Sequence, residues 1–239
     1  MQTIILATDL DNTLVGNDKS LKVLNRYLQE LRQVNKLKLV YATGRSLHAY
    51  KKLYKDKFLL HPDALVAAVG TEIYFGMKKV SAWPQVTNWD TDLIRNQLRG
   101  ITGLEDQPAS ELHHYKVSYF LKFNPKTLEA VKNRLKNLKV DVLYSHNLFL
   151  DILPRGINKG SALKYLADNW KVTAANIIAC GDSANDADML KNNKAIIVSN
   201  AHQELLDWAL KNDQGNFYLA KSKYAAGIIE GLQYYKVLT

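Results

Sequence analysis

Near the N-terminus, the stretch "TIILATDLDNTLVG" runs apolar residues straight into two aspartates, Asp9 and Asp11, separated by one leucine. Residues 3–8 are apolar on both faces, the pattern of a strand buried inside a parallel sheet. A buried strand that ends in two carboxylates is an electrostatic problem. Like charges this close repel, and burying either is costly without positive compensation. The fold must therefore bring cationic partners to the end of this strand.

The rest of the chain supplies the frame. "SLKVLNRYLQELRQVN" places Leu21, Leu24, Leu28 and Leu31 at helical spacing. "KLKLVYATGRS" is a second apolar strand, a helix over 46–56 follows, and "DALVAAVGTEIYF" reads as strand, turn, strand. This alternation predicts a parallel sheet with helices on both faces. From residue 81 the character changes: "SAWPQVTNWDTDL" and "ITGLEDQPASE" are polar and broken by Pro and Gly. "HHYKVSYFLKF" then alternates, with Val117, Tyr119, Leu121 and Phe123 on one side, the pattern of a half-buried antiparallel strand. An amphipathic helix through Leu128, Val131, Leu135 and Leu138 precedes two strands, "VDVLYS" and "LFLDILP". After residue 158 the first style resumes, with a helix from Lys159, the strand "NIIACGD", a helix from Asn185, the strand "AIIVSN", a helix over 202–210 and a last helix "AAGIIEGLQYY". The predicted fold is α/β: a Rossmann-like parallel-sheet core of residues 1–80 and 159–239, with an α+β domain of residues 81–158 inserted into it.

Composition excludes several functions. No apolar run approaches membrane-spanning length, and the first residues enter a core strand rather than a secretory signal. A membrane partner is not expected, and a cytoplasmic location is. The single cysteine, Cys180, excludes an intrachain disulfide and reads as a small buried residue. Net charge is +9, from 32 Lys and Arg against 23 Asp and Glu, which suits a protein that holds an anion. The lysines are dispersed, and the densest run, "YKKLYKDKF", reads as a solvated helix face, so no nucleic-acid partner is expected. His113 and His114 are adjacent, point apart in a strand, and read as surface of the inserted domain.

Four polar clusters lie at strand ends or helix starts: Asp9/Asp11/Thr13, Thr43-Gly44-Arg45, Asn158-Lys159-Gly160 and "GDSAND" at 181–186. In an open parallel sheet, ligands bind beyond the carboxyl ends of the strands, so four separated segments converge on one crevice. "DLDNTL" resembles the DxDx[TV] motif of haloacid dehalogenase (HAD) phosphatases. Thr43, Lys159 and "GDSAND" are similar to that superfamily's second, third and fourth motifs, in order. The insertion resembles a type C2 cap.

The chemistry expected of such residues is phosphoryl transfer. Asp9 is a nucleophile that needs no base, being ionised at neutral pH. Asp11 protonates the leaving oxygen and then deprotonates the hydrolytic water, a proton-holding role that neighbouring negative charge favours. More carboxylates beside a phosphate make sense only with a cation, and oxygen ligands indicate Mg²⁺. The resemblance implies that Asp9, the Asp11 carbonyl and Asp182 hold this metal, with Asp186 as a ligand or a partner of one. It also implies that Lys159 supplies a second positive charge. Thr43 and the Gly44 amide then bind phosphate oxygens, and Asn185 orients nucleophile or phosphate.

"YATGRS", "AVGTEIY", "YKVSYFL", "LDILPRGINKGSAL" and "GDSANDADML" are together similar to the sucrose-phosphate phosphatase family. Ala184 stands where a glycine is usual, and Arg155-Gly156-Ile157 departs from the usual loop. This resemblance implies sucrose 6-phosphate as substrate and a sucrose-phosphate synthase as a partner. Sugar contacts are expected from Arg45, Thr71, Glu72, Lys116, Ser118, Tyr119, Asp151 and Asn158, a set of short polar groups with one aromatic platform. The rivals are the same chemistry on mannosyl-3-phosphoglycerate, glucosylglycerol phosphate or broad hexose phosphates, and a non-catalytic role docked on the synthase.

Overall fold

The computed structural model describes residues 3–108 and 113–238. Part of the polar segment read into the insertion, residues 109–112, lies outside the described residues. In chain order the core begins with β1 (Ile4–Thr8), α1 (Asp18–Gln33), β2 (Leu37–Ala42), α2 (Leu47–Asp56), β3 (Ala64–Ala67), β4 (Glu72–Phe75) and β5 (Lys78–Lys79). The insertion contributes α3 (Thr91–Leu98), β6 (Glu105–Asp106), β7 (Val117–Phe120), α4 (Pro125–Leu135), β8 (Val140–Ser145) and β9 (Phe149–Pro154). The core resumes with α5 (Lys159–Trp170), β10 (Ile177–Gly181), α6 (Ala187–Leu190), β11 (Lys194–Ile197), α7 (Gln203–Asn212), β12 (Phe217–Leu219) and α8 (Tyr224–Tyr234).

The core sheet has the order β12-β11-β10-β1-β2-β3-β4-β5. It is parallel from β12 to β3, and β4 and β5 turn back antiparallel at one edge. β1 is central, with chain order running away from it on both sides, so the crevice at its carboxyl end is a topological switch point. The alternation of β1 explains its all-apolar sequence. Leu6 packs with Leu21, Leu24, Leu28 and Ile228 on one face, while Ile5 packs with Leu163, Leu166, Leu190 and Leu205 on the other. Each such leucine contributes about 2 kcal/mol on burial.

The inserted domain is a four-stranded antiparallel sheet, β6-β7-β9-β8, with α3 and α4 on one face. Two readings of this region need correction. The sequence reading passed over α3 because its flanks are polar; Asp90 caps it by accepting from the Leu93 amide, and Ile94 and Leu98, four residues apart, bury into the cap core. Phe123 was placed on the buried side of β7, but the strand stops at Phe120 and Phe123 is 62% exposed. The edge strands β5, β6 and β12 were also not anticipated. They are two or three residues long, too short for an alternating pattern to register.

Candidate active site

Asp9 immediately follows β1, Thr43 follows β2, Asp182 follows β10, and Lys159 opens α5. Lys159 is fully buried, and its ammonium donates to Asp9 Oδ1 at 2.7 Å, Asn185 Oδ1 at 2.8 Å and Asp186 Oδ1 at 2.8 Å. The other Asp186 oxygen, Oδ2, accepts from the Asp182 and Ser183 amides. Asp186 can fold back this way because residue 181 is glycine: a Cβ there would lie 2.5 Å from Asp186 Cβ. Asp186 therefore positions Lys159 and closes its own loop. Ala184 lies in the short turn 184–186 and is not among the residues with positive φ, so the turn does not require a glycine there. Asp182 Oδ1 accepts from the Thr13 hydroxyl at 3.0 Å, whereas the buried Oδ2 has no hydrogen-bond partner.

Charge explains what this cluster can hold. Asp9, Asp182 and Asp186 converge on one buried point with one ammonium among them, leaving two uncompensated negative charges. Burial pushes the Asp9 carboxyl up to about 7; Lys159 opposes this, and Asp186 and Asp11 add to it. Burial, then Asp9 and Asp186, likewise raise Asp182. For Lys159 burial works against the charged form, but Asp186 and Asp9 outweigh it and hold the ammonium protonated. A divalent cation is what the donor set lacks: hard oxygen ligands, an unpartnered buried carboxylate oxygen and an excess of two negative charges.

Asp11 meets a guanidinium as well as the neighbouring carboxylate of Asp9. Arg45 Nε and Nη2 each donate to one of its oxygens at 2.7 Å, a bidentate pair. Arg45 was expected on the sugar; the structure aims it at the Asp11 carboxylate. Thr43 is fully buried, and its Oγ1 accepts from the Arg45 amide. This loop is braced by residues 68–70. Ala68 and Val69 both hold left-handed backbone conformations, and their amides donate to the Arg45 and Thr43 carbonyls. Such strain in a β-branched residue persists only where its surroundings over-determine it. Gly70, at φ +100°, touches the start of α5: a Cβ there would lie 2.1 Å from the Asn158 carbonyl carbon.

The cap sheet's second face is also buried, against the core. Lys116, Ser118 and Asp151 share it: Ser118 donates to Asp151 Oδ1 at 2.5 Å, and Lys116 Nζ lies 3.2 Å from the same oxygen. Tyr119, its chain neighbour, points the opposite way into the cap core beside Arg95, so it is not the sugar platform. Asn158 is committed elsewhere as well: its side chain caps α5 and donates to Asp188. Thr71 is buried and donates to the Ala68 carbonyl. Glu72 accepts from Tyr74 and Lys79 and lies 3.8 Å from His113; burial alone would raise its carboxyl, but His113, Lys79 and Tyr74 hold it down at about 2. His113 is thus buried beside Glu72 rather than on the cap surface. Arg155, in the loop that departs from the family's usual sequence, donates to the Leu138 carbonyl at the edge of the cap sheet.

Sequence reasoning missed three residues at the cap–core seam. Glu204 accepts from the Ala184 and His146 amides, and His146 and His202 both face Asp182. No local pattern marks them, because the three come from a hairpin tip and a helix start far apart in the chain.

A central parallel sheet with an Asp-x-Asp at its switch point, a buried lysine–carboxylate cluster opposite and an inserted cap define a protein of the haloacid dehalogenase class. A phosphatase of that superfamily from Bacteroides thetaiotaomicron shares the fold at TM-score 0.77, with 18% identity over 99% of this chain and 96% of its own. The chain belongs to the sucrose-6F-phosphate phosphohydrolase family, whose profile matches residues 2–236. The sucrose-phosphatase of Synechocystis, solved with sucrose and phosphate, superposes at TM-score 0.93, with 32% identity over 99% of both chains. A sucrose-phosphatase of Nicotiana tabacum is 34% identical over 96% of this chain. The mannosylfructose-phosphate phosphatase of Agrobacterium fabrum is 29% identical over 97% of this chain and 96% of its own length. The chain spans 58% of the tobacco relative's length. No helix among the described residues is long and apolar enough to cross a membrane.

Proposed function

We propose that this chain hydrolyses sucrose 6-phosphate to sucrose and inorganic phosphate through an aspartyl-phosphate intermediate. The observation that carries the reading is the buried Asp9–Lys159–Asp186 cluster, which holds an ionisable nucleophile at the switch point with one cation already against it. Asp9, the Asp11 carbonyl and Asp182 would hold Mg²⁺, which when bound neutralises charge on the phosphoryl oxygens. Asp9 attacks phosphorus as the bond to the sugar oxygen breaks, and Asp11 gives that oxygen its proton. Asp11 then takes a proton from water, which attacks the aspartyl phosphate, breaking the phosphorus–Asp9 bond and releasing phosphate. Both Asp11 oxygens accept from Arg45 here, so proton transfer requires one of them to exchange that partner for the leaving oxygen. Lys159 holds Asp9 in place and faces the charge that develops during transfer.

The sugar would sit beneath the cap face that carries Lys116, Ser118 and Asp151, with Glu72 and Thr71 at the facing edge of the core. Full-length similarity to the mannosylfructose-phosphate enzyme supports a second reading, in which the leaving disaccharide is mannosylfructose. Phosphate release with Mg²⁺ decides between them when sucrose 6-phosphate, mannosylfructose phosphate, glucosylglycerol phosphate, mannosyl-3-phosphoglycerate and hexose 6-phosphates are compared. A kcat/KM for sucrose 6-phosphate about 100-fold above the others is the expected result, equivalent to about 3 kcal/mol of discrimination. A flat profile would retain the phosphatase and remove the specificity. A chain that acts only by docking on a synthase would release no phosphate in any of these assays.

A further inference from the structure

The seam between cap and core holds two imidazoles that the phosphatase chemistry does not use, beside one aspartate that it does. His146 sits at the tip of the β8–β9 hairpin, where His146 and Asn147 both take left-handed backbone conformations. That geometry, together with Glu204 accepting from the His146 amide, sets the imidazole over the core. His202 precedes α7, and its amide donates to the Asp182 carbonyl at 2.7 Å. The two rings lie 4.7 Å apart between centroids. His146 Nε2 is 3.8 Å and His202 Nε2 4.0 Å from Asp182 Oδ2, and ligating atoms of the three residues all lie within 4.8 Å of one another. Asp182 is fully buried, and this oxygen has no hydrogen-bond partner.

We propose that His146, His202 and Asp182 form a binding site for a divalent transition metal of the zinc class, which clamps the cap to the core and draws on the same aspartate as the catalytic metal. Two imidazoles and one carboxylate are the donors such ions take, whereas Mg²⁺ prefers oxygen alone. The two neighbouring sites would therefore sort ions by chemistry. In a tetrahedral zinc site adjacent ligand atoms sit about 3.4 Å apart. The two distances to Asp182 are 3.8 and 4.0 Å, and no separation in the set exceeds 4.8 Å, so closing the site shortens each by about 1.4 Å at most. Both imidazoles remain partly accessible, at 20% and 32%, which leaves a route of entry. His146 comes from the cap, while His202 and Asp182 come from the core. An ion bound by all three would hold closed the seam through which substrate enters, and would slow turnover.

The test is Zn²⁺ titration into the whole chain, followed by calorimetry in excess Mg²⁺, which occupies the carboxylate cluster. One Zn²⁺ per chain is expected, with affinity reduced about 100-fold or more in His146→Gln and in His202→Gln. Co²⁺ should give a tetrahedral visible spectrum in the wild-type chain and not in His202→Gln. Zn²⁺ should slow Mg²⁺-supported phosphate release at least about 10-fold more in the wild-type chain than in His202→Gln, whose activity without Zn²⁺ is unchanged. No saturable Zn²⁺ binding in the presence of Mg²⁺ would overturn the proposal. Wild-type affinity in both histidine variants would also overturn it, by placing the ion on the carboxylates. The binding and spectral readouts need no turnover, so a wrong sugar assignment leaves them intact.

Discussion

At the scale of single residues, the site turns on how few cations face its carboxylates. Asp9→Asn should reduce turnover by about 10⁴-fold or more, read as phosphate release, because an amide cannot take the place of the proposed carboxylate nucleophile. Lys159→Met should cost stability as well as rate. Asp9 and Asp186 would lose the ammonium they share in a buried site, a change worth about 3–5 kcal/mol and a fall in Tm of about 10 °C or more. The pH dependence follows from burial. Asp9 in the fold titrates about 7, above the ordinary carboxylate range it keeps when unfolded, and Asp182 is raised too. Between the unfolded and folded values the native chain binds more protons, so its stability falls as pH rises from about 4 through 7. Thermal denaturation in chelator should show this decline, and Mg²⁺ should reverse it increasingly at higher pH. The Asp-x-Asp pair, Thr43, Lys159 and the GDSAND loop were legible in sequence because each sits at a strand end or helix start, where function concentrates in this architecture. Period-two geometry separates Tyr119 from Ser118: neighbours on a strand face opposite sides, so Tyr119 packs into the cap core while Ser118 shares the other face with Asp151.

At the scale of elements, loops are held in costly conformations by the elements they touch. Gly70→Ala would force a side chain into a positive-φ position and into the Asn158 backbone at the start of α5. A loss of about 2 kcal/mol or more is expected, seen as a Tm lower by about 4–8 °C, together with reduced kcat because Lys159 is the next residue. The cap sheet makes a separate prediction. Asp151→Asn or Ser118→Ala should raise KM for the sugar phosphate while leaving hydrolysis of a small aryl phosphate nearly unchanged; parallel losses on both substrates would place these residues in structure rather than recognition. Helices with clear amphipathic repeats, such as α1 and α4, were readable from the chain. α3 was not, because its N-terminal turn is polar and only Ile94 and Leu98 report its buried side.

At the scale of the whole molecule, the proposed function predicts a cap that opens to admit substrate and closes to exclude water, with hinges expected near 79–82 and 155–158. Solution scattering should show a smaller radius of gyration when a non-hydrolysable sugar phosphate binds; an unchanged interdomain angle would sink this account. By itself the sequence determined the parallel-sheet core, the insertion and the residues that converge on the switch point, since buried strands, helical repeats and short motifs are local signals that survive without coordinates. Only the tertiary structure decided what those residues face. It set Arg45 against Asp11, committed Asn158 to a helix cap, and turned Tyr119 into the cap core. It also brought His146 and His202 to Asp182. Side-chain partners across the seam depend on how two domains dock, and no spacing along the chain encodes a contact between residues that meet only when the cap lies on the core.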